Sequence, residues 1–343
     1  MSPVRIAVVG AGLIGRRHIA LVRADPGSEL VSVVDPHPAA RDGHEVPGYA
    51  GVADMLAAVR PDAVIVASPN RHHAEHVMQC VDARVPVLVE KPIADAPADA
   101  ASMVEAAEAA GVPLLVGHHR RHSPIVAAAT EALRDGLLGR LVAVRGSALF
   151  RKPDGYFEDA PWRKAAGGGP ILINLIHEID NLRALCGEIT EVQAVASNAV
   201  RGFAVEDTAA VTLRFDTGAL GVFLLSDTAA APHSWEQTSA EDPAYPHHAD
   251  EDCYVLAGTD GSLGIPTMRL RVYTGERSWW EPFRTSVVDR SGADPLAEQL
   301  AHFRAVARDE AAPLVDGREG LRTLRATHAV AEAARTGTTV SIS

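Results

Sequence analysis

The apolar positions keep one rhythm up to about residue 122 and another after it. In the first part, short and largely apolar runs alternate with stretches of helical period. Arg5–Val9, Leu30–Val34, Ala63–Ala67, Val85–Val89 and Val112–Val116 predict strands. Ile14–Ala24, Val52–Val59, Asn70 to about Ala83, and Asp95 to Gly111 predict the helices between them. Pro61 closes the second helix, and Asn70 and Asp95 are the expected caps of the third and fourth. Nearly continuous apolar strands alternating with helices read as a doubly wound parallel sheet, buried on both faces.

Beyond His122 the segments lengthen. A helix over Ser123–Leu133 precedes strand-like stretches at Leu141–Phe150, Glu191–Asn198, Thr208–Phe215, Ala219–Leu225, Cys253–Ala257 and Arg269–Tyr273. Turns such as Asp216-Thr217-Gly218 join some of them. Helices beginning at Leu296 and Glu319 lead to a last strand, Thr339–Ile342. The expected fold is therefore α/β. A dinucleotide-binding domain over residues 1–121 is followed by an α+β substrate and oligomerisation domain over 122–343, built on a large, mostly antiparallel open sheet. An open sheet needs its edges and faces covered, which predicts a homo-oligomer. The polar, histidine-rich stretch 229–252 is too long for a plain connection and is expected to be a functional loop.

Composition narrows the class. The chain has 343 residues, 47% of them hydrophobic, enough for two cores. A net charge of -12 argues against nucleic acid or an anionic membrane as partner. Cys80, Cys186 and Cys253 are odd in number and widely spaced, fitting neither a disulfide framework nor a metal site. They read as buried small hydrophobes in a reducing compartment. His247-His248 with Asp250 lacks a third ligand at a usual spacing, so no metal is expected. With no targeting segment and no apolar run of membrane length, the expected location is cytoplasmic.

Gly10-Ala11-Gly12-Leu13-Ile14-Gly15 follows a strand and opens a helix. Gly10 permits the tight turn, Gly12 the approach of a pyrophosphate to the backbone, and Gly15 close helix–strand packing. The helix start offers free N–H groups to phosphate. Asp35 ends the next strand 20 residues after Gly15, where a carboxylate binds ribose hydroxyls and repels a 2′-phosphate. NAD is favoured over NADP, with Arg41 as the residue able to shift that balance. Ser68-Pro69-Asn70 lies past the third strand, at the ligand-binding edge of such a sheet, and Asn70 and His73 are placed beside the cofactor. His72 and His76 read as a solvated helix face.

Glu90-Lys91-Pro92 ends the fourth strand. A lysine after so apolar a run is unusual, and partial burial would lower its pKa. These motifs, with Gly117-His118-His119-Arg120-Arg121 and the later Gly167-Gly168-Gly169 and His177, resemble the Gfo/Idh/MocA oxidoreductases over nearly the whole chain. The resemblance implies a Rossmann domain, a second domain with a large open sheet, and assembly as dimers or tetramers. It also implies hydride transfer between NAD(P) and a secondary alcohol of a sugar, cyclitol or polyol. By the same resemblance Lys91 hydrogen-bonds the reacting hydroxyl and His177 is the general acid/base. Asn174 fits the N-cap of the helix carrying His177, which stops at Gly187. Many relatives carry an aspartate where this chain has Ile173, and Asn174 or Asp180 is expected to take over part of its role.

Glu90 and Arg120 complete the expected cofactor contacts, with Leu13, Ile14, Ser68 and Pro69. Trp162 and Arg163 lie, by resemblance to a subgroup, near cofactor or substrate. Arg120, Trp162, Asn174 and Trp235 are the further substrate candidates. Tyr156 and Phe157 serve equally well as substrate contacts or as an aromatic staple between domains. Two other uses of such a fold are glycoside cleavage through transient oxidation and a non-enzymatic NAD-binding regulator.

Overall fold

The structure, a computed structural model, describes residues 2–342. Its contacts fall into two compact units. One is the chain up to His122 together with Asp294–Leu324, and the other is Ser123–Ala293 together with the chain from Arg325 onward.

The first unit is built on six parallel strands: β1 Val4–Val9, β2 Ser28–Val34, β3 Gly48–Tyr49, β4 Ala63–Val66, β5 Val87–Val89 and β6 Leu114–Val116. Their order is β3-β2-β1-β4-β5-β6. All run the same way, so the segments after β1, β2, β4, β5 and β6 leave from one edge, and the order reverses between β1 and β4. The two-residue β3 carries no apolar run, which is why the sequence pattern misses it. Neither expected cap is used. Asn70 lies in a 3₁₀ turn, Asn70–His72, before the helix His73–Asp82, and the next helix, Pro97–Ala110, starts after Ala96. Pro97 at its first turn presets the backbone and needs no capping side chain.

The single boundary expected near residue 121 is corrected by the return of Asp294–Leu324 to this unit. The helix Pro295–Ala307 buries Leu300, Phe303 and Val306 in one core with Val8, Ile65, Leu88 and Leu115. An apolar stripe is legible in sequence, but not the core that accepts it.

The second unit holds a ten-stranded sheet. Its strands are β7 Leu141–Arg151, β8 Ile189–Ser197, β9 Thr208–Phe215, β10 Leu220–Ser226, β11 Thr228–His233, β12 Tyr254–Gly258, β13 Gly261–Ile265, β14 Arg269–Val272, β15 Arg284–Val287 and β16 Val340–Ser341. The main order is β15-β14-β13-β12-β7-β10-β9-β8-β16, with β11 beside β7. Only β7 and β10 pair in parallel; the other pairings are antiparallel. β9 alternates strictly, and β10 does so up to Leu225. Val211, Leu213, Phe223 and Leu225 face a core shared with the helices Pro124–Arg134 and Ile176–Cys186. Val195, Leu220, Val222 and Leu224 stand exposed on the opposite face. Strand β11 and a short helix, Trp235–Thr238, take up the start of the stretch expected to be a loop, and residues 239–252 are irregular chain and turns. Among the described residues no helix is long and apolar enough to cross a membrane.

Candidate active site

In the first unit, β1 leads into a turn that only glycine can make. Gly10 has φ +91°, and a Cβ there would sit 2.6 Å from the Ala67 carbonyl oxygen. A Cβ on Gly15 would overlap the Gly10 carbonyl, so the helix Leu13–Ala24 can approach the strand only without a side chain at that point. Gly12 is the opposite case. A Cβ there meets nothing within 4 Å, and no side chain caps the helix that starts beside it. Open space over uncapped N–H groups is what a pyrophosphate requires, so these residues fit a bound dinucleotide. Leu13 is exposed and Ile14 half-buried at the same end.

Asp35 follows β2 and is held from two sides. Its Oδ2 accepts from the Ala11 N–H and its Oδ1 from the His37 N–H, each at 2.9 Å. The carboxylate thus ties the glycine turn to the end of β2, where the ribose is expected. The Arg41 guanidinium donates to the Asp35 and Pro36 carbonyls rather than to the carboxylate.

Beyond β4, half-buried Ser68 accompanies exposed Pro69 and Asn70. His73, placed beside the cofactor by sequence reasoning, is fully buried. Its two ring nitrogens face the Pro92 and Ser68 carbonyls, both at 2.8 Å. It therefore staples the Ser68 turn to the Lys91-Pro92 segment and is not open to a ligand. Burial lowers its pKa against the pull of those two carbonyls. His76 bonds the Ser68 hydroxyl at 3.0 Å, so it is not merely a solvated residue.

Glu90 directly follows β5, nearly buried, with Oε1 2.7 Å from Nε2 of His18. Burial alone would raise its pKa. The His18 hydrogen bond and charge, with His119 and Lys91 nearby, instead pull it down to about 2. Glu90 Oε2 also accepts from the Lys91 N–H. Lys91 is half-buried, and the Lys91-Pro92 peptide is cis. Glu90 is therefore a buried anion that shapes this corner. After β6, burial and the Arg120 charge push His119 down to about 3 against the pull of Glu90. Arg120 itself is 4% exposed.

In the second unit, His177 lies in the first turn of the helix Ile176–Cys186, which Gly187 ends with φ +101°. Asn174 is not its N-cap. It belongs to a π-helical turn, Ile171–Leu175, that runs straight into the helix, and it makes no capping bond. Its Oδ1 accepts instead from Nζ of Lys152 at 2.6 Å. Such π-turns recur at functional sites because they re-aim side chains within a helix. The Ile171 N–H donates to Glu206, whose carboxylate lies where a Gly169 Cβ would be, so the triple glycine makes room for this contact. Asp180, the other stand-in for the missing aspartate, is buried at 1% exposure.

Lys152, absent from the sequence expectations, is nearly buried beside Asp227 at 3.7 Å. Arg201 holds Asp227 more closely, at 2.8 Å. Burial lowers Lys152 to about 8 despite the Asp227 charge. Lys152 and Asp227 are far from Asn174 in sequence and share no motif spacing with it, so only folding reveals the cluster. Arg163 stacks over the Tyr156 ring at 3.7 Å and bonds the Tyr156 carbonyl, while Trp162 is 56% exposed. Phe157 is buried against Phe203, a contact inside this unit. Trp235, expected over the substrate, is a core residue. It is 3% exposed, packs on Tyr254 and donates from Nε1 to Glu241 at 2.7 Å. An indole with its only N–H satisfied in the core is not presented to a ligand.

Comparison with known proteins identifies the family of both units. Residues 4–118 match the model of an oxidoreductase family with an NAD-binding Rossmann fold. Residues 126–264 match the GFO/IDH/MocA C-terminal domain. A D-apiose dehydrogenase of Paraburkholderia graminis is 30% identical over 98% of this chain and 89% of its own. A myo-inositol 2-dehydrogenase of Thermotoga maritima is 28% identical over 85% of this chain and 90% of its own. The crystal structure of the WlbA dehydrogenase from Bordetella pertussis, in complex with NADH and UDP-GlcNAcA, superposes with a TM-score of 0.80. It is 25% identical over 99% of both chains.

Proposed function

The chain belongs to the Gfo/Idh/MocA family of NAD-binding oxidoreductases, and we propose that it oxidises a secondary hydroxyl of a sugar, cyclitol or related polyol, with Lys91 and His177 as the catalytic pair. NAD, when bound, takes up the hydride. Gly10, Gly12 and Gly15 hold the pyrophosphate and Asp35 the ribose. His177 accepts the hydroxyl proton, and Lys91 donates a hydrogen bond to the same oxygen as negative charge develops there. Arg120, Trp162 and Arg163 are assigned to cofactor and substrate contacts.

The observation that carries this reading is Lys91. It is a half-buried cation two residues past β5, on the sheet edge that Gly12 leaves open, with its N–H tied to a buried carboxylate. The test is NADH formation over a panel of inositols, aldoses and sugar acids. One or more should be oxidised, with higher kcat/KM for NAD than for NADP. Lys91→Ala and His177→Ala should each lower kcat by about 10²–10⁴ while NAD binding persists. Silence across the panel sinks the reading, and loss of NAD binding in Lys91→Ala removes Lys91 from the chemistry. We further infer a homodimer or homotetramer from the bare sheet face.

A further inference from the structure

We propose that Lys152, with Asn174, forms a subsite for a carboxylate on the substrate, so that the preferred substrate is a sugar acid rather than a neutral sugar or cyclitol. This rests on the reading of His177 as the proton acceptor. Asn174 lies three residues before His177 in one continuous helical segment, about one turn away, so Lys152 reaches the same end of that helix.

The hydrogen-bonding of Lys152 is incomplete. An ammonium carries three N–H groups. One goes to the Asn174 amide oxygen at 2.6 Å. Asp227 stands off at 3.7 Å, and its nearer partner is Arg201 at 2.8 Å. Arg201 also donates to the Asp227 and Lys152 carbonyls. Asp227 is thus committed to another cation, and the Glu236 carboxylate acts on Lys152 only through its field. A second cation stands close by: Arg163 and Lys152 both lie over the Tyr156 ring, at 3.7 and 4.8 Å. Arg163 donates to the Tyr156 carbonyl, and its Nε is buried without a hydrogen-bond partner.

Lys152 and Arg163 over one ring keep spare donors, and the carboxylates around them, Asp227 shared with Arg201 and Glu236 and Glu206 acting through their fields, offset charge without filling those donors. Holding a lysine nearly buried in that state is costly unless an anion completes it. The pyrophosphate of NAD is assigned to the uncapped helix start at Gly12, so the anion assigned here is the carboxylate of the substrate. Asn174 keeps its N–H₂ group for a hydroxyl or carboxylate oxygen.

The experiment compares sugar pairs that differ in one group, D-glucose with D-glucuronate and D-galactose with D-galacturonate. Calorimetric binding to the NADH-loaded protein and kcat/KM with NAD are both measured, for the wild type, Lys152→Gln and Lys152→Arg. At least one acid should bind about tenfold or more tightly than its neutral partner, as a charge-assisted hydrogen bond provides. Lys152→Gln should erase that ratio and Lys152→Arg should keep part of it. The Kd for NADH should stay within about twofold, since the proposed contact is not to the cofactor. Three results overturn the proposal: equal binding of acids and neutral sugars by the wild type, a ratio that survives Lys152→Gln, or a loss of NADH affinity as large as the loss for the acid. Acid binding without turnover of any sugar would instead refute the dehydrogenase reading and leave the subsite standing. Turnover of neutral sugars with no preference for acids would do the reverse.

Discussion

At the residue scale, the first unit is organised around one buried anion. Glu90 accepts from His18 and from the Lys91 N–H, and it is ionised because those partners outweigh its burial. Its folded pKa, about 2, lies below the ordinary 4.5. The stabilisation it supplies is therefore complete above about pH 4.5 and drains away as pH falls toward 2. Glu90→Gln should cost about 1–3 kcal/mol at neutral pH and flatten that acid limb, measured by urea midpoints at a series of pH values. An unchanged limb would show that Glu90 is not the group responsible. Glu90, Lys91 and His177 stand out in the sequence by type and motif. Lys152 does not, because a lysine after a strand reads as solvated until the fold buries it.

At the element scale, the glycine turn separates folding from binding. Gly12→Ala adds a methyl group where no protein atom lies within 4 Å. It should leave thermal unfolding nearly unchanged and weaken NAD by about tenfold or more, because the methyl occupies the phosphate's approach. Gly15→Ala drives a methyl group into the Gly10 carbonyl and should cost about 1–3 kcal/mol of stability. Thermal melts and NAD titrations on the pair check both statements. Normal NAD affinity in Gly12→Ala would contradict the cradle. This element is legible in sequence because every contact in it is local. The helix of His177 is less so. Its stop at Gly187 follows from composition, but the π-turn Ile171–Leu175 is bonded by Glu206 and Lys152, which arrive from other parts of the chain.

At the scale of the whole molecule, the ten-stranded sheet leaves one face bare. Val195, Leu220, Val222 and Leu224 are each 43–75% exposed there. The same face holds a concavity of about 900 Å³, lined by acidic Asp250, Glu251 and Asp252 and by basic Arg145, Arg269 and Arg271. Apolar surface framed by both signs of charge suits a second copy of the chain, since an isologous contact can pair acid with base twice. Light scattering should report a dimer or tetramer, and Val222→Glu with Leu224→Glu should shift it toward monomer; a monomeric wild type would refute the assignment. The sequence alone determined the parallel unit, its dinucleotide turn and the open second sheet, because those rest on local periodicity and short spacings, and resemblance to a family's motifs singled out Lys91 and His177 as candidates. Only the tertiary structure decided that Asp294–Leu324 returns to the first core, that Trp235 is packing, that His73 is a staple, and that Lys152 meets Asn174 and Asp227. Each of these is a contact between residues distant along the chain. Its energy depends on which surfaces folding brings together, and local pattern carries no record of that.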